Sequence, residues 1–279
     1  MKMLTKNTFT TLKWVLIYAT SFYLQGCGIH KDEQGTNRRK LVFQDEFNYT
    51  GLPDSSKWGY EVGFVRNREP QYYTEKRLDN VRVEDGHLVI EARKEPFVDQ
   101  KGQKASYTSG SIHTLHKQHF KYGRMEVCAK VPKGLGIWSA IWMLGEDRGE
   151  VSWPNCGEID IMEFVGKDSS IVYGTVHYAD SLDKYHSEGK RPVFTAPYAD
   201  FHTYALEWDE KYIKLFYDDT NYFTFDVSKA QQRDGSNIFK KDYYLLLNLA
   251  LGNVQNLGGK LHDEALPAQF LIDYIRIYQ

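Results

Sequence analysis

From residue 41 onward the chain is a succession of short runs in which apolar and polar positions alternate. Residues 87–93, 122–131, 137–144, 171–178, 201–208, 212–217 and 270–278 each carry this period of two or a strong β composition. Alternation of this kind marks a strand with one buried face. No stretch of comparable length carries a helical stripe. Glu84-Asp85-Gly86 and Asp218-Asp219-Thr220-Asn221 fall between strand candidates, where hairpins call for residues that tolerate positive φ. Residues 243–251 (Tyr-Tyr-Leu-Leu-Leu-Asn-Leu-Ala-Leu) are apolar on both faces and read as a central strand covered by a second sheet. The expected class is all-β, a jelly-roll sandwich of two antiparallel sheets.

The start of the chain follows a different pattern. Lys2, Lys6 and Lys13 precede an apolar run from Trp14 to Leu24, which reads as an export signal and is too short to span a bilayer. Leu24-Gln25-Gly26-Cys27 resembles the lipobox of bacterial lipoproteins, although Gln25 is bulkier than the small residue usual there. The resemblance implies lipidation at Cys27 and an outer-membrane anchor on either face; a plain cleaved signal with an incidental Cys27 is the alternative. Residues 28–40 are polar and aperiodic, a tether, leaving 41–279 as one catalytic domain, a size at which all-β folds commonly stay undivided. Of the remaining cysteines, Cys128 and Cys156 could pair, but two buried thiols are the expected reading because a domain this large needs no disulfide.

A net charge of −2 gives no electrostatic footprint for nucleic acid. The aromatic content of 15% is the unusual figure; it suits strands and also suits stacking on sugar rings.

The chemistry lies in Gly157-Glu158-Ile159-Asp160-Ile161-Met162-Glu163-Phe164. In a regular strand Glu158 and Asp160 share a face and Glu163 falls out of phase. A one-residue bulge at Ile161-Met162 restores the phase and places all three carboxylates in a row. Without it, Glu163 would enter the core, and a buried unpaired carboxylate is costly. Three adjacent acids repel one another, which raises at least one pKa toward what a general acid needs at neutral pH. Two carboxyls about 5–5.5 Å apart act as nucleophile and acid/base with retention, whereas about 6.5–9.5 Å admits water and inverts. Four effective strand steps separate Glu158 from Glu163, roughly 13 Å between Cα atoms on a flat sheet, so the sheet must be concave there. A metal site or a solvated acidic edge is the bland alternative.

This segment resembles the catalytic signature of glycoside hydrolase family 16 in the bulged form of its laminarinase-like branch (endo-β-1,3-glucanases and β-1,3-1,4-glucanases). Likeness extends through Asp45-Glu46-Phe47, Gln71-Tyr72-Tyr73-Thr74, Asn80 to Gly86, Tyr107-Thr108-Ser109-Gly110, Trp138 to Leu144, Gly174-Thr175-Val176-His177 and Ile272 to Tyr278. The resemblance implies a cleft across the concave sheet, with Glu158 as nucleophile, Asp160 as assisting acid and Glu163 as acid/base. It implies substrate contacts from Trp138, Trp142, Trp153 and His177, and from Arg66, Asn67 and Glu69 in the loop that borders the non-reducing-end subsites. Catalysis needs no cofactor in such a family. A structural calcium held by Glu46, the Gly86 carbonyl and Asp273 is implied, oxygen donors being suited to that ion.

The chain departs from the pattern at the cleft rim. Asn253-Val254-Gln255-Asn256-Leu257-Gly258-Gly259 lacks a tryptophan usual after Gly252, Ser111 stands where a larger or basic residue is common, and residues 179–197 carry no assignable feature. The expected activity is endo-cleavage of a β-1,3- or mixed-linkage β-1,3-1,4-glucan by a monomer. A β-galactoside polymer such as poly-N-acetyllactosamine, O-glycans or algal galactan is the rival substrate. Non-catalytic glycan binding and a structural envelope lipoprotein are the other classes; the intact acids argue against the first, and an aromatic-lined cleft would argue against the second.

Overall fold

The computed structural model describes residues 39–279. The signal segment, Cys27 and nearly all of the expected tether therefore lie outside the described residues. Lys40 already belongs to the fold, exchanging backbone hydrogen bonds with Gln279 at 2.7 and 2.9 Å.

Seventeen strands follow in chain order. They are β1 (Leu41–Asp45), β2 (Gly59–Tyr60), β3 (Tyr72–Tyr73), β4 (Val81–Glu84), β5 (His87–Val98), β6 (Lys104–Ser109), β7 (Ser111–His113), β8 (Gly123–Lys130) and β9 (Ile137–Gly145). After them come β10 (Glu158–Val165), β11 (Tyr173–Ala179), β12 (Tyr185–Lys190), β13 (His202–Trp208), β14 (Tyr212–Tyr217), β15 (Thr220–Asp226), β16 (Tyr243–Leu251) and β17 (Ala268–Tyr278). Helical structure among the described residues is limited to short 3-10 turns, none of them long and apolar enough to cross a membrane.

Ten strands form one sheet along the path β15-β14-β13-β8-β17-β5-β6-β3, with β1 on β17 and β4 on β5; seven form the other in the order β12-β11-β10-β9-β16-β7-β2. The two sheets enclose one large apolar core, as two packed layers must to bury a face of each. At the turn between β4 and β5, Asp85 and Gly86 both take positive φ (52° and 79°), as a two-residue hairpin of this hand requires.

The strand β16 is central in its sheet and has all nine residues buried, one face under the second sheet as expected. Its odd-numbered positions Tyr243, Leu245, Leu247, Leu249 and Leu251 face the main core. On the opposite face, Tyr244 and Leu246 join Ala140, Trp142, Leu144 and Cys156 in a second, smaller apolar cluster beneath the cleft. A cleft floor, and not a third layer, covers that side. Cys156 is a buried free thiol, as expected, and so does not pair with Cys128.

Of the expected calcium ligands, Glu46 has both carboxylate oxygens bound by Arg276, through Nε and Nη2 at 2.8 Å each, the Gly86 carbonyl lies in the turn between β4 and β5, and Asp273 is a half-buried carboxylate whose pKa burial raises.

Candidate active site

The site grows from a break in one ladder. On one side of β10, Asp160 pairs with Trp142 of β9 and Met162 pairs with Ile141, so one extra residue is inserted between them. On the other side, Asp160 pairs with Thr175 of β11 and Glu163 with Tyr173. Ile161 and Met162 consequently both lie in the main core along with Ile159 and Phe164, while Glu158, Asp160 and Glu163 all line the cleft. Gly157, at φ +74°, leads into the strand where any side chain would strike the Tyr243 hydroxyl and Ile238.

The cleft measures about 600 Å³. Its floor is the outward face of three strands in phase: Trp138, Ala140, Trp142 and Leu144 of β9, the three acids of β10, and Asn248 and Ala250 of β16. Trp138 Nε1 donates to Glu163 Oε1 at 3.0 Å and Trp153 Nε1 donates to Glu158 Oε2 at 2.9 Å. Each outer carboxylate is thus tied to its own indole. His177 Nε2 sits 3.0 Å from Asp160 Oδ2 and 3.9 Å from Glu158 Oε1. The closer approach is off line for a hydrogen bond, and Oδ2 has no other partner. This leaves a lone pair directed at the row. Glu158, Asp160 and His177 are also the one grouping among the described residues whose ligand atoms could surround a metal ion.

Burial and mutual repulsion hold protons on the row. Burial first, then the charge of Asp160, pushes Glu158 up to about 8, against the opposing pull of His177. Burial and the charge of Glu158 raise Glu163, while the Trp138 hydrogen bond works the other way. Asp160, wholly enclosed, is raised well above the carboxylate range by burial and by Glu163. Such a cluster keeps a carboxylic acid available as a proton donor near neutral pH.

The remaining expected residues reach the cleft in different ways. Trp153 is the open one, 41% exposed. Trp142 is largely covered: its Nε1 donates to Asn248 Oδ1 at 2.8 Å, and the Arg66 guanidinium stacks on its ring at 4.8 Å. Arg66 is held by Glu61, which accepts from Ser111 Oγ at 2.6 Å. Glu69 lines the wall but is buried, accepting from Asn67 Nδ2 at 3.1 Å, Gln71 Nε2 at 2.7 Å and Tyr73 Oη at 3.3 Å. It anchors the loop from within while still lining the cleft. Asn67 and Arg68 both take positive φ, and their carbonyls accept from Asn253 and Asn256, clipping two loops into one rim.

Sequence reasoning missed Tyr185, Arg148 and Asn248, which line the cleft, while Gln255, Asn256 and Leu257 lie at the rim where the sequence put them. Tyr185 matters most: its Oη lies 2.8 Å from His177 Nδ1 and its ring stands 5.0 Å from that of Trp153. A hydroxyl donating to Nδ1 fixes the proton on Nε2, facing the acids. The segment that carries Tyr185 is polar on both faces and gave no strand signal.

A jelly roll whose concave sheet carries a row of proton-holding carboxylates between indoles is the architecture of a carbohydrate-cleaving hydrolase. Residues 68–248 match the model of glycosyl hydrolases family 16, and the chain belongs to that family. A beta-glucanase of Rhodothermus marinus is 41% identical over 250 residues, covering 86% of this chain and 85% of that protein. The solved laminarinase from the same organism superposes with a TM-score of 0.77 at 39% identity, covering 86% and 97% of the two chains. A solved structure from work on endo-acting O-glycanases of the human gut microbiota, described as initiating mucin breakdown, superposes at 0.79 with 38% identity, covering 86% and 90%.

Proposed function

We propose that this protein is an endo-acting, retaining β-glucanase that cleaves β-1,3-glucan or mixed-linkage β-1,3-1,4-glucan. The observation that carries the reading is the bulge between Asp160 and Met162, which brings Glu158, Asp160 and Glu163 to one cleft face beside Trp138 and Trp153. In the first step the fraction of Glu158 that is ionised, a form the nearby His177 and the Trp153 indole favour against burial, attacks the anomeric carbon as the carboxylate while Glu163 gives its proton to the departing glycosidic oxygen, leaving a glycosyl ester. In the second, Glu163 takes a proton from water, which attacks the same carbon and releases Glu158. Asp160 hydrogen-bonds to Glu158 and balances its charge through both steps. No metal enters either step, and a single chain supplies the whole cleft.

A β-galactoside or O-glycan substrate is the second reading, favoured by one feature: Gln255, Asn256 and Leu257 form the rim where a tryptophan was expected. A product profile of the purified domain on laminarin, cereal β-glucan, agarose, carrageenan and mucin O-glycans decides between them. The glucan reading predicts mixed oligosaccharides from the first two; release of single sugars alone would overturn endo action. We further propose export with lipid attachment at Cys27, supported by the apolar run and Leu24-Gln25-Gly26-Cys27. Labelled palmitate should enter the full chain and be lost in Cys27→Ala.

A further inference from the structure

A bulge leaves its extra residue outside the ladder, with backbone groups that need partners. Here that residue is Ile161, which pairs with neither β9 nor β11. Its carbonyl accepts instead from the Tyr222 hydroxyl at 2.9 Å. Tyr222 belongs to β15, the edge of the other sheet, and so reaches across the sandwich to a backbone carbonyl that the bulge leaves outside both ladders. Its ring packs against the main core and meets Phe194 edge-on at 6.3 Å.

The path of that side chain exists because of a second residue. Gly174 lies on β11 between Tyr173, the partner of Glu163, and Thr175, the partner of Asp160; it is therefore the residue opposite the bulge. A Cβ there would press on Tyr222 Oη and lie 2.7 Å from both its Cε2 and Leu215 Cδ1. The glycine is not needed for its backbone angles, since it is absent from the positive-φ positions. What requires it is the space filled by the phenol and by Leu215.

We infer that Tyr222 is a positioning residue for the catalytic row: with Gly174 making room, its hydroxyl holds the bulge at Ile161 and so fixes Glu163 in phase with Glu158 and Asp160. It touches no substrate and acts only through the backbone. The inference rests on the hydrolase reading for its kinetic consequence, but the backbone claim stands apart from it.

The test uses Tyr222→Phe, Gly174→Ala and the double variant in the full domain, with kinetics on the best substrate and amide hydrogen exchange across β10. Tyr222→Phe should lower kcat about tenfold or more with KM unchanged, and exchange at Met162 and Glu163 should quicken while the rest of β16 and β9 stays protected. Its alkaline limb should move to lower pH, because a loosened Glu163 is better solvated and gives up its proton sooner. Gly174→Ala should match this loss of kcat and add little to it when combined with Tyr222→Phe, since both act through the same hydrogen bond to Ile161. A merely structural hydroxyl would lower Tm and leave kcat per folded molecule and the pH profile alone; that result, or unaltered exchange at the bulge, overturns the inference. Local quickening in Tyr222→Phe, together with an unmodified domain that cleaves no glycan, would support the backbone claim and sink the hydrolase reading instead.

Discussion

The strands β10 and β16 flank the same neighbour, β9, and solve opposite problems. The β16–β9 ladder runs without interruption through nine pairs, from Tyr243–Gly145 to Leu251–Ile137. The β10–β9 ladder slips once, between Asp160 and Met162. Regular pairing is what an apolar strand adopts when both faces are buried, because every residue is then in its best place. The slip occurs where three acids need one face and four apolar residues need the other, a demand that strict alternation cannot meet. Irregularity in this sheet is thus confined to the strand that carries the chemistry.

The largest effect should come from making β10 as regular as β16. Deleting both Ile161 and Met162 leaves a regular strand in which Glu163 follows Asp160 directly and faces the apolar core, where an unpaired carboxyl costs several kcal/mol. Hydrolysis should vanish, with thermal unfolding and circular dichroism reporting a much less stable but still β-rich domain. Retained turnover would mean that the slip is incidental.

Glu158→Gln removes the proposed nucleophile without altering shape and should cut kcat roughly 10⁴-fold or more. Its stability should change in the opposite sense. The folded pKa of Glu158 is raised to about 8, so the folded state binds this proton more tightly than the unfolded chain does. Stability is therefore fully present below the unfolded value and is lost as pH rises toward the folded one. The variant should lose less stability than the native domain between about pH 4.5 and 8, a difference that melting curves across pH would record.

On β16 the same tests should separate stability from chemistry. Leu247 is fully buried in the main core, and Leu247→Ala should destabilise by about 2–5 kcal/mol in denaturant titrations while kcat of the folded fraction stays near native. A smaller, finer change is expected from Asp160→Asn. The charge of Asp160 helps to raise Glu158, so its removal should move the acid limb of the rate profile to lower pH while reducing kcat through the lost hydrogen bond.

The same contrast explains what could be read from the chain alone. Strands whose hydrophobic period is imposed by burial, such as β5, β8, β14 and β16, were legible, and the bulge was legible because only one arrangement kept Glu163 out of the core. The strand β12 was not, since Tyr185 to Lys190 faces solvent and cleft and has no apolar face to advertise it. Partners distant in sequence were equally hidden. Arg276 lies 230 residues from the Glu46 it neutralises, and Asn248 lies 106 from the Trp142 it orients. Ser111 looked like a bare loss of a larger side chain; in the fold it secures Glu61, which in turn holds Arg66 against Trp142.

The account stands or falls on whether the slipped strand brings Glu158 and Glu163 close enough to share one anomeric carbon. Proton NMR of the first sugar released from a soluble β-glucan reads that spacing as stereochemistry. The β-anomer should appear first and mutarotate afterwards; initial release of the α-anomer would mean a water-wide gap between the two acids and contradict the mechanism.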